Sequence, residues 1–150
     1  MAKRFRFRLE TLLKVRTLRE REAQRNVAAK RAELARLDQL DGLTTTEISR
    51  QQAALLAAQQ EGGLDPVGLQ RGRAWIGHLR KTITLRQIQR QTLLEQLAER
   101  QQQWREARKQ MRVIEKLRER RWNEHRKDEQ RRERAALDEL AQQMHVPEQV

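Results

Sequence analysis

A heptad repeat in the second half of the chain restricts the possible folds more than any other sequence feature. From residue 69 to residue 111 every seventh residue is apolar except Arg90. The apolar members are Leu69, Ile76, Ile83, Leu97, Trp104 and Met111, and a patchier column three residues further on contains Leu79, Leu93, Ala107 and Ile114. Such columns form the a and d positions of a coiled coil, which are stable only when another helix covers them. The chain therefore needs a second helix.

The first half of the chain carries a weaker apolar column of the same period. Its polar members are Glu20 and Asp41. Its apolar members are Leu13, Val27, Leu34, Ile48 and Leu55. Asp41 and Gly42 favour a local break, but the column keeps its phase past them, which favours one continuous helix. This half therefore predicts the helix that covers the seam.

A turn signal separates the two columns. Gly62 and Gly63 are typical of a helix end, while Asp65 and Pro66 are typical of an N-cap and a first helical position. We predict helix 1 at about residues 5–60, a turn at about 61–66 and helix 2 at about 66–144. Helices joined by so short a turn run antiparallel. At 1.5 Å per residue the second is longer by about 34 Å, so its C-terminal part should overhang.

The composition agrees with this fold. Of the 150 residues, 37% are hydrophobic, 36% are charged and 3% are aromatic, which is too little apolar material for a broad globular core. Two prolines and six glycines leave nearly the whole chain open to helix. The predicted fold is all-α: a long antiparallel two-helix coiled-coil hairpin with an overhanging C-terminal helix, forming a single elongated domain over residues 1–150.

The predicted overhang ends in an apolar stripe without an intramolecular partner. Residues 123–134 contain no strongly apolar side chain, and apolar residues then return at helical spacing: Ala136, Leu137, Leu140, Ala141 and Met144. The stripe is either a docking surface or a frayed tail, and the sequence leaves both open. The heptad phase also shifts after Met111, which should straighten and loosen the pairing near Trp122.

The residue types that carry catalysis are scarce. Ser49 is the sole serine, tyrosine and cysteine are absent, and the three histidines lie far apart in sequence, so no catalytic triad can be assembled. There is no glycine-rich phosphate loop. His125 with Asp128 and Glu129 has the helical spacing of a weak metal site, but a solvated charged face explains the pattern better. We expect no enzymatic activity, no cofactor and no metal.

The net charge of +12 indicates an acidic partner. Residues 1–40 carry 12 basic and 5 acidic groups, and residues 79–122 carry 13 and 5. Such a field favours nucleic acid or an acidic protein cavity. Phe5 and Phe7 alternate with basic residues and could stack on bases, although an anchor at the start of helix 1 is the favoured interpretation. The longest apolar run, 53–58, is far shorter than the roughly 20 residues of a membrane span. No apolar region follows the basic N-terminus, so we expect neither membrane insertion nor a signal peptide.

Five motifs stand out along the chain: residues 5–13 (FRFRLETLL), 75–76 (WI), 104–111 (WREARKQM), 115–117 (EKL) and 137–141 (LDELA). In order and spacing they resemble the flagellar FliJ family over nearly the whole chain. The resemblance implies a cytoplasmic component of the flagellar type III protein export apparatus, similar to the central stalk of a rotary ATPase. It implies that the chain binds in the pore of the export ATPase hexamer and promotes its assembly and activity.

The resemblance also implies further partners. The chain would link the ATPase to the membrane export gate protein, engage flagellar export chaperones, and associate peripherally with the cytoplasmic side of the inner membrane. The chain departs from the family in having no tyrosine near the turn, where aromatic residues often occur. The alternative function from the residues alone is a basic coiled coil that binds nucleic acid.

Two sets of candidate binding residues follow. Electrostatic steering into the lumen of a hexameric ring points to arginines at the basic paired end: Arg8, Arg16, Arg19, Arg108, Arg112 and Arg118. The family pattern places a gate-binding surface in the turns after Trp75, where the matching positions are Leu85 and Ile88. Neither lies in the heptad column, so both should be exposed on the outer side of helix 2.

Overall fold

The computed structural model describes residues 4–63 and 65–145, and these residues form two α-helices and no strand. Helix α1 spans Glu10–Gln60 and helix α2 spans Pro66–Met144. The two helices pack against each other, so the predicted all-α helical hairpin is confirmed. Helix α1 runs without a break through Asp41 and Gly42, as the unbroken heptad phase predicts.

The start of α1 differs from the prediction. The helix begins at Glu10, so a start at about residue 5 is wrong. Residues 4–7 are neither helix nor strand, and Phe5 and Phe7 are half-buried whereas Arg4 and Arg6 are exposed. Exposure that alternates with period two is typical of an extended chain, in which both phenylalanines lie on one side. The Glu10 N–H then donates to the Phe7 carbonyl at 3.2 Å and closes the turn into α1.

The turn between the helices follows from its sequence. Gly62 has φ of +70°, in the left-handed region that only glycine adopts without strain. The Gly63 N–H donates to the carbonyl of Ala58 at 3.3 Å, which closes the C-terminus of α1. Oδ1 of Asp65 accepts a hydrogen bond from the Gly68 N–H at 2.7 Å and caps α2. The predicted cap and helix-stop residues therefore have the predicted roles.

The helix pair divides into two compact units. Unit 1 comprises Met1–Arg21 and Arg105–Val150, and unit 2 comprises Glu22–Trp104. Each unit contains segments of both helices. The prediction of one domain over residues 1–150 stays a prediction.

Unit 2 holds every buried side chain among the described residues: Val27, Leu37, Thr44, Ile48, Ile76 and Leu93. The remaining predicted seam residues of this unit, Leu34, Leu55, Leu69, Ile83, Leu97 and Trp104, are half-buried. Near the turn, a Cβ on Gly72 would come within 2.5 Å of a Leu55 methyl group, so the glycine allows a close approach of the helices. Further along, Asp41 pairs with Arg90. The helices are therefore antiparallel in this unit.

Unit 1 is at most half-buried throughout its described residues. The predicted seam residues Leu13 and Met111 are both half-buried. The guanidinium Nη1 of Arg16 donates to Oε1 of Gln110, and Nε of Arg118 donates to the carboxylate of Glu10 at 3.0 Å. These contacts show that the two helix segments of unit 1 are also antiparallel. Every residue from 130 to 145 is exposed.

Candidate functional site

The described residues offer binding surfaces rather than a reaction centre. They contain no group of three or more side chains placed to hold a metal ion. Nε2 of His125 lies 4.0 Å from Glu129, and Asp128 pairs instead with Arg131 at 3.9 Å. Over the same residues, neither helix has a stretch long and apolar enough to cross a membrane.

A polar cluster interrupts the seam of unit 2. Asp41 and Arg90 are the charged residues in the central parts of the two apolar columns, and Oδ2 of Asp41 lies 2.8 Å from Nη2 of Arg90. Arg90 also reaches Asp38 at 2.7 Å, while Arg86 donates to the Thr44 hydroxyl at 2.7 Å and lies 3.4 Å from Asp41. The hydrogen bond to Asp41 raises the pKa of Arg90. A satisfied polar cluster of this kind favours one helix register, because a shifted register leaves its charges unpaired.

The predicted gate-binding residues lie on the outer side of α2 in unit 2. Leu85 is 59% exposed and Ile88 is 63% exposed, as their offset from the heptad column predicts. Three residues apart on a helix, they form one small apolar surface. Nearer the turn, Trp75 is half exposed and its ring stacks on His78 at a centroid distance of 5.4 Å.

The six predicted ATPase-binding arginines all belong to unit 1. Four of them are exposed and make no ion pair within the described part of the chain: Arg8, Arg19, Arg108 and Arg112. The other two also contact the neighbouring helix, because Arg16 bonds to Gln110 and Arg118 bonds to Glu10. Arg16 is half-buried, so part of its role is to pair the helices. The structure thus brings the six into one unit and leaves four of them fully available.

Positive charge is concentrated in the same unit. Unit 1 has 21 basic and 12 acidic residues, a net charge of +9, whereas unit 2 has 12 and 9, a net charge of +3. On the outer side of α2, a shallow basic groove is lined by Arg105, Arg108, Lys109, Arg112, Val113 and Lys116. Its one apolar member, Val113, is 59% exposed. This face is a strongly cationic surface that includes one exposed apolar residue.

The aromatic residues before α1 are engaged inside unit 1. The Phe5 ring lies edge-on to Trp122 at a centroid distance of 5.1 Å and 5.5 Å from the ring of His125. Phe7 is half-buried as well. These contacts support the anchor rather than the base-stacking interpretation, because the ring of Phe5 already packs against two rings of α2.

The apolar stripe near the end of α2 is exposed. Leu137, Leu140 and Met144 are 64%, 54% and 86% exposed, respectively. Their spacing places them on one side of the helix. The stripe is therefore accessible to a partner.

Two antiparallel helices with a heptad seam define the chain as a coiled-coil protein. A protein-family model described as "Flagellar FliJ protein" matches residues 5–149. The chain belongs to the FliJ family and is a component of the flagellar export machinery. No curated protein and no solved structure matches the chain.

Sequence reasoning missed the polar cluster of unit 2. Its signal was present, because each apolar column has one charged residue in its central part: Asp41 on one helix and Arg90 on the other. Opposite charges at facing seam positions of a hairpin are expected to pair. Arg86 and Thr44 lie three residues after Ile83 and Asp41, respectively, but their hydrogen bond was not predictable from opposite charges because threonine is uncharged.

Proposed function

We propose that this FliJ-family chain binds and stimulates the flagellar export ATPase hexamer, links it to the membrane export gate protein and engages export chaperones, without catalytic activity of its own. The observation that carries the proposal is the net charge of +9 on unit 1, together with its four exposed arginines. No cofactor is needed for such a role, because the chain acts through its surface.

Unit 1 is the proposed ATPase-binding part. The positive field of unit 1 steers it toward a surface of the opposite sign. A hexameric ring whose lumen has acidic or polar walls would offer such a surface. The exposed guanidinium groups of Arg8, Arg19, Arg108 and Arg112 can reach carboxylates there. Arg16 and Arg118 contribute by keeping the two helix segments paired.

Unit 2 is the proposed gate-binding part. The exposed pair Leu85 and Ile88 supports this assignment, because small apolar anchors at helical spacing dominate recognition between a helix and a groove. Contact with the gate protein would keep the chain at the cytoplasmic side of the inner membrane without insertion. Because ATPase and gate use residues of different units, the two binding activities should be separable by mutation.

Chaperone binding is supported by the exposed stripe of Leu137, Leu140 and Met144. An apolar helix side of this kind suits a partner that supplies its own apolar surface. The surface chemistry of each chaperone determines whether it binds. Deleting residues 137–144 should abolish chaperone capture while ATPase stimulation is retained.

The test of the ATPase proposal is a charge reversal with a matched control. The first variant replaces Arg8, Arg19, Arg108 and Arg112 by Glu. The control replaces Arg25, Arg31, Arg36 and Arg71, which are exposed residues of unit 2, by Glu. Both variants undergo the same change of net charge, and exposed substitutions usually cost less than about 0.5 kcal/mol of stability.

The expected result is a loss of ATPase stimulation in the unit 1 variant alone, with helicity by circular dichroism unchanged in both. Unchanged stimulation in the unit 1 variant, or equal loss in both, contradicts the proposal. The nucleic-acid alternative is tested on the wild type by titration with duplex DNA across a salt series. Retention of tight binding at physiological salt would favour that alternative, because unspecific binding by phosphate contacts weakens steeply with salt.

A further inference from the structure

A basic groove lies in unit 1 beside the residues that precede α1. One wall is formed by residues 4–9 and the other by side chains between residues 117 and 132 of α2. Five arginines and two carboxylates line it, so its net charge is +3 when His125 is neutral. Phe5, Phe7, Leu9 and Leu117 contribute apolar surface to the same lining. The groove therefore combines cationic and apolar side chains.

The segment before α1 exposes three arginines. Phe5 and Phe7 are half-buried, while the residues that alternate with them, Arg4 and Arg6, are exposed, as is Arg8. In an extended chain alternate residues are spaced by about 6.6 to 7 Å, which applies to Arg4 and Arg6, whereas Arg8 lies in the turn that leads into α1. The contact of Phe5 with Trp122 fixes this segment against α2. The guanidinium groups are thus held at intervals rather than dispersed on a mobile tail.

The charges of the two walls are not equivalent. Within the described residues, Arg4, Arg6 and Arg8 form no ion pair. The two carboxylates of the opposite wall already have cationic neighbours on α2, since Glu124 lies 3.7 Å from Arg121 and Asp128 lies 3.9 Å from Arg131. The arginines before α1 therefore lack the internal carboxylates that would neutralise them.

We propose that this groove binds an extended acidic peptide segment with carboxylates at alternate positions. A guanidinium group matches a carboxylate through paired N–H donors. Alternate residues of an extended peptide repeat at the same spacing as Arg4 and Arg6, so two carboxylates can meet these two guanidinium groups in register, and the exposed Arg8 in the following turn can reach a third.

A peptide fits this groove better than a nucleic acid strand does. The ring of Phe5 is half-buried and already contacts Trp122 and His125, so it is less accessible to a stacking base than an exposed ring. The backbone N–H groups of a peptide can donate to Glu124 and Asp128, whereas a sugar-phosphate backbone has no N–H group that could do so. The source of the segment rests on the proposed function: it would be an acidic stretch of the export ATPase, which Arg8 would also contact.

The experiment measures fluorescence anisotropy of short peptides, labelled with an uncharged dye, on the full chain at low salt. One peptide alternates Glu with Ala, and a second has the same composition with its Glu residues in one block. The test variant is Arg4→Gln, Arg6→Gln, Arg8→Gln. The matched control is Arg25→Gln, Arg31→Gln, Arg36→Gln, which removes the same charge from exposed positions of unit 2.

The alternating peptide should bind more tightly than the block peptide. The test variant should weaken binding by about tenfold and the control by less than about twofold, since three charge-assisted contacts are removed in the first and none in the second. Equal affinity for the two peptides, or equal loss in the two variants, overturns the inference. Tighter binding of an oligothymidine strand than of the alternating peptide, with the same variant dependence, overturns it as well.

Two further measurements keep the result interpretable. If circular dichroism shows that the triple variant is perturbed, Arg132→Gln on the opposite wall should weaken peptide binding in the same direction, because its guanidinium group also lines the groove. ATPase stimulation by the wild type is measured in parallel. Stimulation without peptide binding refutes this inference alone, whereas peptide binding without stimulation refutes the proposed function alone.

Discussion

Units 1 and 2 are built from the same two helices but differ in how they use their side chains. Unit 2 contains all the buried residues of the described chain and a polar cluster around Asp41 inside its seam. Unit 1 has side chains that are at most half-buried and carries +9 of the net charge. The first arrangement suits a stable, unique pairing of helices. The second leaves most of its polar surface accessible to partners.

A chain with few apolar residues can place stable helix pairing in one unit and partner binding in the other. Helix stability in proteins comes mainly from burying an apolar stripe, so the tightly packed unit should carry most of the free energy of folding. Like charges held together in unit 1 oppose compactness and favour a partner of opposite sign. Stability and binding should therefore respond to mutation in different units.

The largest expected effect compares isoleucines of the two units. Ile76 of unit 2 is 7% exposed and Ile114 of unit 1 is half-buried. Ile76→Ala should lower the free energy of unfolding by about 2 to 4 kcal/mol, and Ile114→Ala by about 1 kcal/mol, because less apolar area is lost in unit 1. Urea unfolding followed by circular dichroism measures both. Equal losses of unfolding free energy in the two variants would contradict the claim that unit 2 carries most of the folding stability.

The second prediction concerns the gate protein. Replacing Leu85 and Ile88 by Ala should weaken gate binding by about 1 to 3 kcal/mol, because both side chains are exposed anchors in unit 2. Isothermal titration calorimetry measures the binding, and ATPase stimulation should be retained. Leu43→Ala with Leu94→Ala is a matched control, as both leucines are exposed in the same unit. A large drop in melting temperature for the first variant would show instead that these residues stabilise the pairing.

The third prediction compares ion pairs. The side chain of Asp41 is 16% exposed and contacts two arginines, whereas the side chain of Glu10 is 42% exposed and pairs with one arginine, Arg118, within the described residues. Asp41→Ala should cost about 1 to 2 kcal/mol of stability and Glu10→Ala less than about 0.5 kcal/mol, because exposed pairs are screened by solvent. Thermal unfolding of the two variants checks this. Similar small losses would mean that the polar cluster sets no register.

The smallest effect is local to α1. The side-chain hydrogen bond from Gln51 at 3.0 Å, followed by that from Arg50, lowers the pKa of Glu47. A lowered pKa in the folded state stabilises the protein at pH values above the unfolded pKa, and this contribution is lost as the pH falls through the folded pKa. Gln51→Ala should raise the pKa of Glu47 toward its ordinary value, as measured by carboxyl carbon NMR. No change would show that Arg50 alone sets it.

The sequence predicts the main features of the fold because they depend on local chemistry. Gly62, Asp65 and Pro66 have strong conformational preferences, and they mark the turn as observed. The start of α1 was harder to predict, because alternating Phe5 and Phe7 fit either a helix end or an extended segment. The contact of Phe5 with Trp122, which distinguishes the two, is seen only in the structure. Burial of every second side chain against another helix depends on tertiary contacts, and a local sequence pattern does not reveal such contacts.

The candidate site was predictable in part for the same reason. Exposure of Leu85 and Ile88 follows from their offset from the heptad column. The intramolecular bond of Arg16 to Gln110 does not follow, since it depends on the rotamers of two long side chains in a partly buried place. The basic groove at residues 4–9 forms because α1 begins only at Glu10, so the groove could not be predicted from the sequence.

Hydrogen exchange on the full chain, with and without the export ATPase hexamer, tests most directly whether unit 2 stabilises the fold and unit 1 binds the ATPase. Without the ATPase, amides near Val27, Ile48 and Ile76 should exchange more slowly than amides of residues 105–122, because buried helix segments open less often. On addition of the ATPase, protection should rise in residues 105–122 and stay unchanged in unit 2. A rise confined to residues 76–93, or no rise in unit 1, would contradict the account.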